Sequence, residues 1–358
     1  MPTITKSIGS GKDYSTIANW IVSLSDGTYD SGDDVIGELY DDSYDESFTF
    51  NDAPFATGGL SSVTLRANAS EKHDGTPDSG VKVTYSGSVP DSVAPYNIIY
   101  DSGTHGIFKV RIQDIEFADF NNDNDDHVYG FHCHYNQNLV MSRCLINNFR
   151  SAALTTKAFR LIFGGSPRIQ NCFIFNCGKT YETGGLSANV IAIYPNNTAD
   201  AKIYNVTIHN IYDSSGNTVW GAFQGEYRNT TITNAGQCFR AVSGSSSSNN
   251  ISSDSSVLGS NSLSLKSPEF LYVSTVAGSE DLHLIALAPA LRKGVDLGTD
   301  YGVELDIDSY DRDASNSAWD IGGDQCDHCK TSSVKANSRL SLGFSANQAV
   351  SSFSLSEF

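Results

Sequence analysis

A short apolar phrase recurs through the middle of the chain. It reads Asp114-Ile115-Glu116-Phe117, Arg143-Cys144-Leu145-Ile146, Asn171-Cys172-Phe173-Ile174, Asn205-Val206-Thr207-Ile208 and Asn229-Thr230-Thr231-Ile232, with a fainter copy at Asn250-Ile251. Anchored on its second residue, at 115, 144, 172, 206, 230 and 251, it returns after 29, 28, 34, 24 and 21 residues. Within each copy apolar and polar residues alternate with period two, as in NVTIHNI, which predicts strands rather than helix. A second apolar stretch goes with most copies, at 129–135, 159–163, 190–194, 219–223 and 238–242. Each unit therefore supplies at least two short strands joined by Gly, Ser and Asn turns. Units this short cannot bury their own faces alone, so they must stack, and stacked multi-strand coils make a parallel β-solenoid.

Four residues after each anchor stand Asp119, Asn148, Asn176, Asn210 and Asn234. Asn tolerates the left-handed bend between two strands of a coil, and its amide can bond the Asn of the next rung, about 4.8 Å away. These five residues are read as a structural ladder. The irregular intervals map to loops leaving one corner of the coil, such as 121–127 and 180–188, where binding residues commonly sit. Cys144 and Cys172 share the anchor position and should stack inside as small hydrophobes. His132 and His134 alternate with Cys133, so an inward Cys133 puts both rings on the outer wall.

The chain of 358 residues carries 23 Lys and Arg against 41 Asp and Glu, a net charge of -18. With no basic cluster, a nucleic-acid partner is excluded, since phosphate neutralisation needs Lys and Arg. Attraction to anionic membranes is excluded likewise. No apolar run approaches the roughly 18 residues of a membrane span. The opening MPTITKSIGSGKDY lacks the features of a secretory signal. The seven cysteines, an odd number in a long chain, weigh against a secreted disulfide framework.

The two ends carry a more specific message. Residues 13–25 place Ile17, Trp20, Ile21 and Leu24 on one face, which predicts an amphipathic helix with Ser15 as N-cap, covering the open first coil. The run Ser7-Ile8-Gly9-Ser10-Gly11-Lys12-Asp13-Tyr14-Ser15-Thr16-Ile17, followed by Trp20, resembles the opening of right-handed parallel β-helix proteins related to pectate-lyase-like folds, many of them encoded by tailed bacteriophages. Val35 to Tyr40, Val63 to Ala67 and His73-Asp74-Gly75-Thr76-Pro77 resemble the first coils of that group. Asp281-Leu282-His283-Leu284, Pro289-Ala290, Gly294, Asp306-Ile307-Asp308, Arg312 and Asp320-Ile321-Gly322-Gly323 resemble its closing signature, with Ala288 and Gln325 as departures from the usual Ser and acidic residue. The resemblance implies an all-β, right-handed single-stranded parallel β-helix. The segments expected are a 1–34 N-terminal piece with the capping helix, a 35–325 β-helix, and a 326–358 tail. In that Ser-rich tail Leu340, Phe344, Phe353 and Phe358 are candidate attachment residues for a neighbouring subunit or another protein.

No constellation of catalytic residues emerges. Gly9-Ser10-Gly11-Lys12 has Lys6 where a phosphate loop needs its first Gly. Cys326-Asp327-His328-Cys329 has half the spacing of a zinc site and no second half, leaving a thiol pair or local disulfide as the plainer reading. The oxygen-rich stretches 121–126 and Asp306, Asp308, Asp311 and Asp313 suit Ca2+ by donor type but not by EF-hand spacing, so solvated turns and no cofactor are expected, with Ca2+ as the alternative. The acidic stretch from Asp33 to Glu46 reads as a wet face. A glycosidase on this fold needs two carboxylates across a groove. Glu116 and Asp114 are the outward carboxylates, but later rungs carry Leu145, Phe173, Thr207 and Thr231 beside them. Tyr and Phe on an outer wall suit stacking on sugars or on another subunit.

These readings converge on a structural bacteriophage component, a head decoration, fibre or tail spike. It would be made in the host cytoplasm without a signal peptide, be homotrimeric, sit against other virion proteins, and contact host-surface polysaccharide. A polysaccharide lyase or hydrolase is the first alternative, and a bacterial surface adhesin the second.

Overall fold

A computed structural model describes residues 2–41, 43–50, 59–87, 95–99, 109–122, 128–134, 138–151, 155–162, 167–179, 189–196, 201–213, 218–240, 246–273, 280–299, 302–312 and 318–326. The tail residues Leu340, Phe344, Phe353 and Phe358, together with Asp123 to Asp126 and Asp313, lie outside them.

The recurring phrase builds a right-handed parallel β-helix with three walls. The first wall runs from Thr3–Ile8 through Asp34–Leu39, Ser62–Ala67, Lys109–Gln113 and Asn138–Ser142 into the first halves of Arg168–Lys179 and Lys202–Asp213. The second wall holds the phrase itself: Ser43–Asp45, Lys82–Thr84, Glu116–Ala118, Leu145–Asn147, the later halves of the two long strands, Thr231–Thr233 and Ile251–Ser252. The third wall stacks Phe48–Phe50, Tyr96–Ile99, Val128–His134, Thr155–Ile162, Asn189–Asn196, Thr218–Phe223 and Gln237–Arg240. All of these pairings are parallel. The register puts the anchors Cys144, Cys172, Val206 and Thr230 in one column. At the last coil Thr231 faces Ile251, so Asn250 and not Ile251 occupies the anchor position, one residue earlier than the sequence spacing implied.

Two left-handed columns bend each coil around the second wall. Asp119, Asn148, Asn176, Asn210 and Asn234 have φ between 51° and 57°. Asp114, Arg143, Asn171, Asn205, Asn229 and Asn249, just before the anchors, have φ between 50° and 59°. Asn and Asp bear that conformation at the least cost after Gly, so a three-residue strand is cut cleanly at both ends. Between the walls runs a continuous core that includes Phe48, Tyr96, Phe117, Phe131, Phe149 and Phe159, with Cys144 and Cys172 fully buried among them. Burial pushes the Cys144 thiol well up, and the neighbouring Cys172 adds to it, which keeps Cys144 from acting as a nucleophile.

The capping helix is shorter than the sequence predicted, Ile17–Ser23 rather than 13–25. Its N-cap is Thr16, whose Oγ1 accepts from Asn19 N, while Ser15 Oγ instead accepts from the Asn19 side chain. The Glu46 carboxylate accepts from the first two helical N–H groups, of Ile17 and Ala18. Trp20 is fully buried over Gly37, where a Cβ would stand 2.7 Å from the indole. The acidic stretch is likewise less wet than expected, with Asp33 and Glu38 buried.

Parallel stacking ends with the bridges Ser248↔Ser260 and Ile251↔Leu263. Beyond them the chain turns back: the described residues of 270–326 form a return segment laid against the outside of the second wall. Leu282 and Ile307 pack on Leu145, Phe173 and Phe175. Ile321, Leu284, Ala288 and Ala290 pack on Ile251. The 35–325 span drawn from the sequence thus contains both stacked coils and a covering layer.

Candidate functional site

The return segment decides which walls are open. Thr207 Oγ1 accepts from Gly323 N at 3.0 Å, Thr231 Oγ1 donates to Ile321 O at 3.4 Å, and Phe173 lies edge-on to His283. The second wall that the sequence marked as a surface for sugars is therefore covered by the chain itself, because its outward residues are apolar enough to bind the return segment.

Glu116 is corrected in the same way. It is buried, accepting from Asn147 Nδ2 and Asp78 N, both at 2.7 Å, near Lys82. Burial raises its pKa against those three partners. Asp114 forms a two-pronged ion pair with Arg143 at 2.7 and 2.9 Å. Neither carboxylate faces a groove.

The ladder residues lie on successive rungs. Asn148 Nδ2 donates to Asp119 Oδ1 at 3.0 Å, Asn210 to Asn176 at 2.6 Å, and Asn234 to Asn210 at 2.8 Å. Asn176 itself donates to Glu280 of the return segment at 2.5 Å. Sequence reasoning missed a second ladder on the other left-handed column. Asn205 donates to Asn171 and Asn229 to Asn205, both at 2.9 Å. Their amides also reach the carbonyls of Val303 and Val295, and Asn249 reaches that of Lys293. The signal was present in the repeated Asn that opens three of the phrases.

The closing signature forms the clasp of the return segment. His283 Nδ1 meets Asp281 Oδ1 at 2.5 Å and its Nε2 meets Asp308 Oδ1 at 3.0 Å. Burial pushes this imidazole down, and the two bonded carboxylates reverse that and raise it to about 11. Burial raises Asp306 to about 7 against nearby Arg312, and raises Asp324 to about 6 against His283. Asp306 accepts from the N–H groups of Asp308, Tyr310 and Gln325. Arg312 is fully buried and donates to the carbonyls of Gly322, Gly323 and Asp324. Gln325, departing from the acidic residue of the resemblance, accepts from Asp320 N at 2.9 Å. Ligand atoms of His283, Asp308 and Asp324 lie within 4.8 Å of one another. A cation there would compete with a charged imidazole whose two nitrogens already serve Asp281 and Asp308. Cys326 is disulfide-bonded and so offers zinc no thiolate.

The third wall is different. Register places Tyr129, Lys157, Ile191, Trp220 and Gln237 in one column, and His132, Arg160, Tyr194, Phe223 and Arg240 in another. Tyr129, Ile191 and Trp220 are buried, and the other seven are half-buried or exposed, whereas Phe131, Ala158, Phe159, Ala192, Ile193, Ala222, Cys238 and Phe239 on the same strands point into the central core. The ten positions hold three cations and four aromatic rings and no carboxylate, on a chain of net charge -18. Lys157 Nζ lies 3.9 Å from the Tyr194 ring and 5.3 Å from that of Tyr129. Arg160 covers Tyr129 at 4.4 Å, and Arg240 covers Trp220 at 3.7 Å. Phe223 stacks on both Tyr194 and Trp220, with centroids 5.2 and 5.5 Å apart. Lys157, Arg160, Tyr194 and Phe223 are half-buried and Arg240 is exposed. Burial, with Arg160 adjacent, lowers Lys157 to about 8. The Arg160 Nε and Trp220 Nε1 donors have no hydrogen-bond partner. Of the two histidines named from sequence, His132 stands here, 5.7 Å from Tyr129, with Cys133 inward as required. The His134 side chain lies outside the described set.

Set beside known proteins, the chain matches no family model and no curated protein. Among solved structures it is similar to the pectin methylesterase of Aspergillus niger, in its deglycosylated and penultimately deglycosylated forms. The identity is 14% over 74% of this chain and 86% of that chain, at a TM-score of 0.39. A likeness this remote carries none of the esterase's chemistry to this chain.

Proposed function

We propose that this protein is a structural β-helix that holds glycans on its third wall. We further propose that it is borne on a bacteriophage particle, as a head decoration, fibre or tail spike, and associated as a homotrimer. The observation that carries the glycan reading is the track of Tyr129, Lys157, Arg160, Tyr194, Trp220, Phe223 and Arg240. The half-buried rings of Tyr194 and Phe223 give sugar faces a stacking surface, the buried Tyr129 and Trp220 lie beneath the cations, and Lys157, Arg160 and Arg240 give hydroxyls and acid groups a partner. The track lies on strands of a rigid coil, so its geometry is set before any ligand arrives, which lowers the entropy lost on binding. The particle setting rests on the resemblance at the two chain ends.

A glycan array probed with wild-type protein and with Tyr194→Ala, Phe223→Ala and the double variant tests the reading. Binding by the wild type that falls with each ring removed is the expected result. Quantitative mass spectrometry of purified particles tests the setting: hundreds of copies mean a head decoration, and a few trimers mean a spike or fibre. Depolymerisation of a bound polysaccharide by the wild type would replace this reading with that of a carbohydrate-active enzyme.

A further inference from the structure

We infer that the occupant of the third wall is an acidic polysaccharide lying along the helix axis; this rests on the glycan reading above. Three features of the track point to it.

The first is charge. Among the described residues Lys157, Arg160 and Arg240 have no carboxylate partner, whereas Arg66, Lys82, Arg143 and Arg228 each pair with one. On a chain with nearly twice as many acids as bases, these three cations lie over aromatic rings. Cations left beside aromatic faces keep their positive potential available to an arriving anion.

The second is direction. Lys157 and Arg160 share one strand, Tyr194 stands on the next, Trp220 and Phe223 on the one after, and Arg240 on the fourth. Successive strands of a sheet are about 4.8 Å apart, so the basic pair and Arg240 are separated by about 14 Å along the axis. The half-buried rings of Tyr194 and Phe223 stand in the interval, over the buried Trp220. A coil rise comparable to the length of one pyranose lets a linear chain place a sugar per rung, with acid groups at the two basic ends and ring faces on the aromatic middle.

The third is the unpaired donor set. Arg160 Nε and Trp220 Nε1 are buried and make no hydrogen bond. Trp20 Nε1 and Arg150 Nε are unpaired in the same way elsewhere, so these two donors count for the track only through their place beside its cations and rings.

Few cations and a strongly acidic remainder disfavour nucleic acid, whose affinity grows with the number of phosphates neutralised. A uronate chain has one charge per sugar or fewer, which three cations spread over four rungs can match.

The test uses the full chain and a panel of octasaccharides of mannuronate, guluronate, glucuronate and galacturonate, each offered as the native polyuronate and with its carboxyls reduced to alcohols. Binding is read by calorimetry at low and at high salt. The inference expects at least one polyuronate to bind about tenfold or more tighter than its reduced form, as loss of a charge-assisted contact implies. That binding should weaken with salt, and Lys157→Met and Arg240→Gln should each lower it by a similar factor. Lys157→Arg should retain most of it, and Lys266→Met, on a different part of the chain, should leave it unchanged. Far-ultraviolet circular dichroism of each variant separates loss of binding from loss of fold. Equal binding of native and reduced chains overturns the acidic occupant and leaves the glycan reading standing. Binding of neither form, with the array also blank, overturns both. A single-stranded oligonucleotide that competes as well as the best polyuronate overturns the choice of occupant.

Discussion

Asn205 shows how much of this fold hangs on one side chain. Its backbone is left-handed at φ 51°, its Nδ2 donates to Asn171 and to Val303 O, and its Oδ1 accepts from Asn229. Replacing it with Ala leaves buried partners unpaired and puts a Cβ in a disfavoured conformation, so we expect a loss of about 3 kcal/mol in urea unfolding. Asn205→Gly removes the amide but not the conformational freedom, and should cost about 1 kcal/mol less than Ala. Asn234, exposed at the outer end of the other ladder, should lose no more than about 1 kcal/mol as Ala, because water replaces the missing partner. The first of these positions was open to reading from sequence, since an Asn opens the phrases at 171, 205 and 229. What it bonds was not, because Val303 is nearly a hundred residues away.

The return segment is the element whose behaviour depends most on pH. His283 is raised to about 11, so the stability of its ion pairs is complete below its unfolded pKa near 6.5 and is lost as pH rises towards 11. Asp306 and Asp324 are raised to about 7 and 6. Their contribution is therefore greatest below the unfolded value near 4 and declines as pH rises through those folded values. All three shifts have the same sign, so limited proteolysis within residues 270–326 should quicken steadily from pH 5 to pH 10. Unchanged cleavage over that range would show that the clasp does not hold the segment. Gly75, at φ +84°, sits against the clasp, and a Cβ there would lie 2.4 Å from His283 Nε2. Gly75→Ala should reproduce at pH 6 the protease sensitivity that the native chain shows near pH 10. At the opposite end Gly37→Ala would press on Trp20, and a loss of about 2 kcal/mol measured by urea unfolding is expected. Sequence periodicity was enough to find the coils, the core cysteines and the cap, because each repeats or follows a local rule. It could not find the third-wall track. Loops of unequal length separate Arg160, Tyr194, Phe223 and Arg240, so their alignment exists only once the strands are in register.

Taken as a whole, the molecule departs from a simple stack. In an uncovered solenoid each coil touches only its neighbours, and unfolding can spread from either end. Here one segment binds Asn171, Asn205, Asn229 and Asn249, and packs on Leu145, Phe173 and Phe175 as well, so coils far apart along the axis share a partner. Thermal unfolding of the native chain should follow a single transition, and loosening the clasp with Gly75→Ala should broaden it or split it in two. The same arrangement has a consequence during synthesis. Phe173 leaves the ribosome more than a hundred residues before Leu282 and Ile307, which at about 5 to 20 residues per second is a delay of roughly 5 to 20 s. Throughout that interval the newborn coils show an oily flank to the cell, and a chain that stops early keeps it bare, a flag by which chaperones and proteases can tell unfinished copies from finished ones.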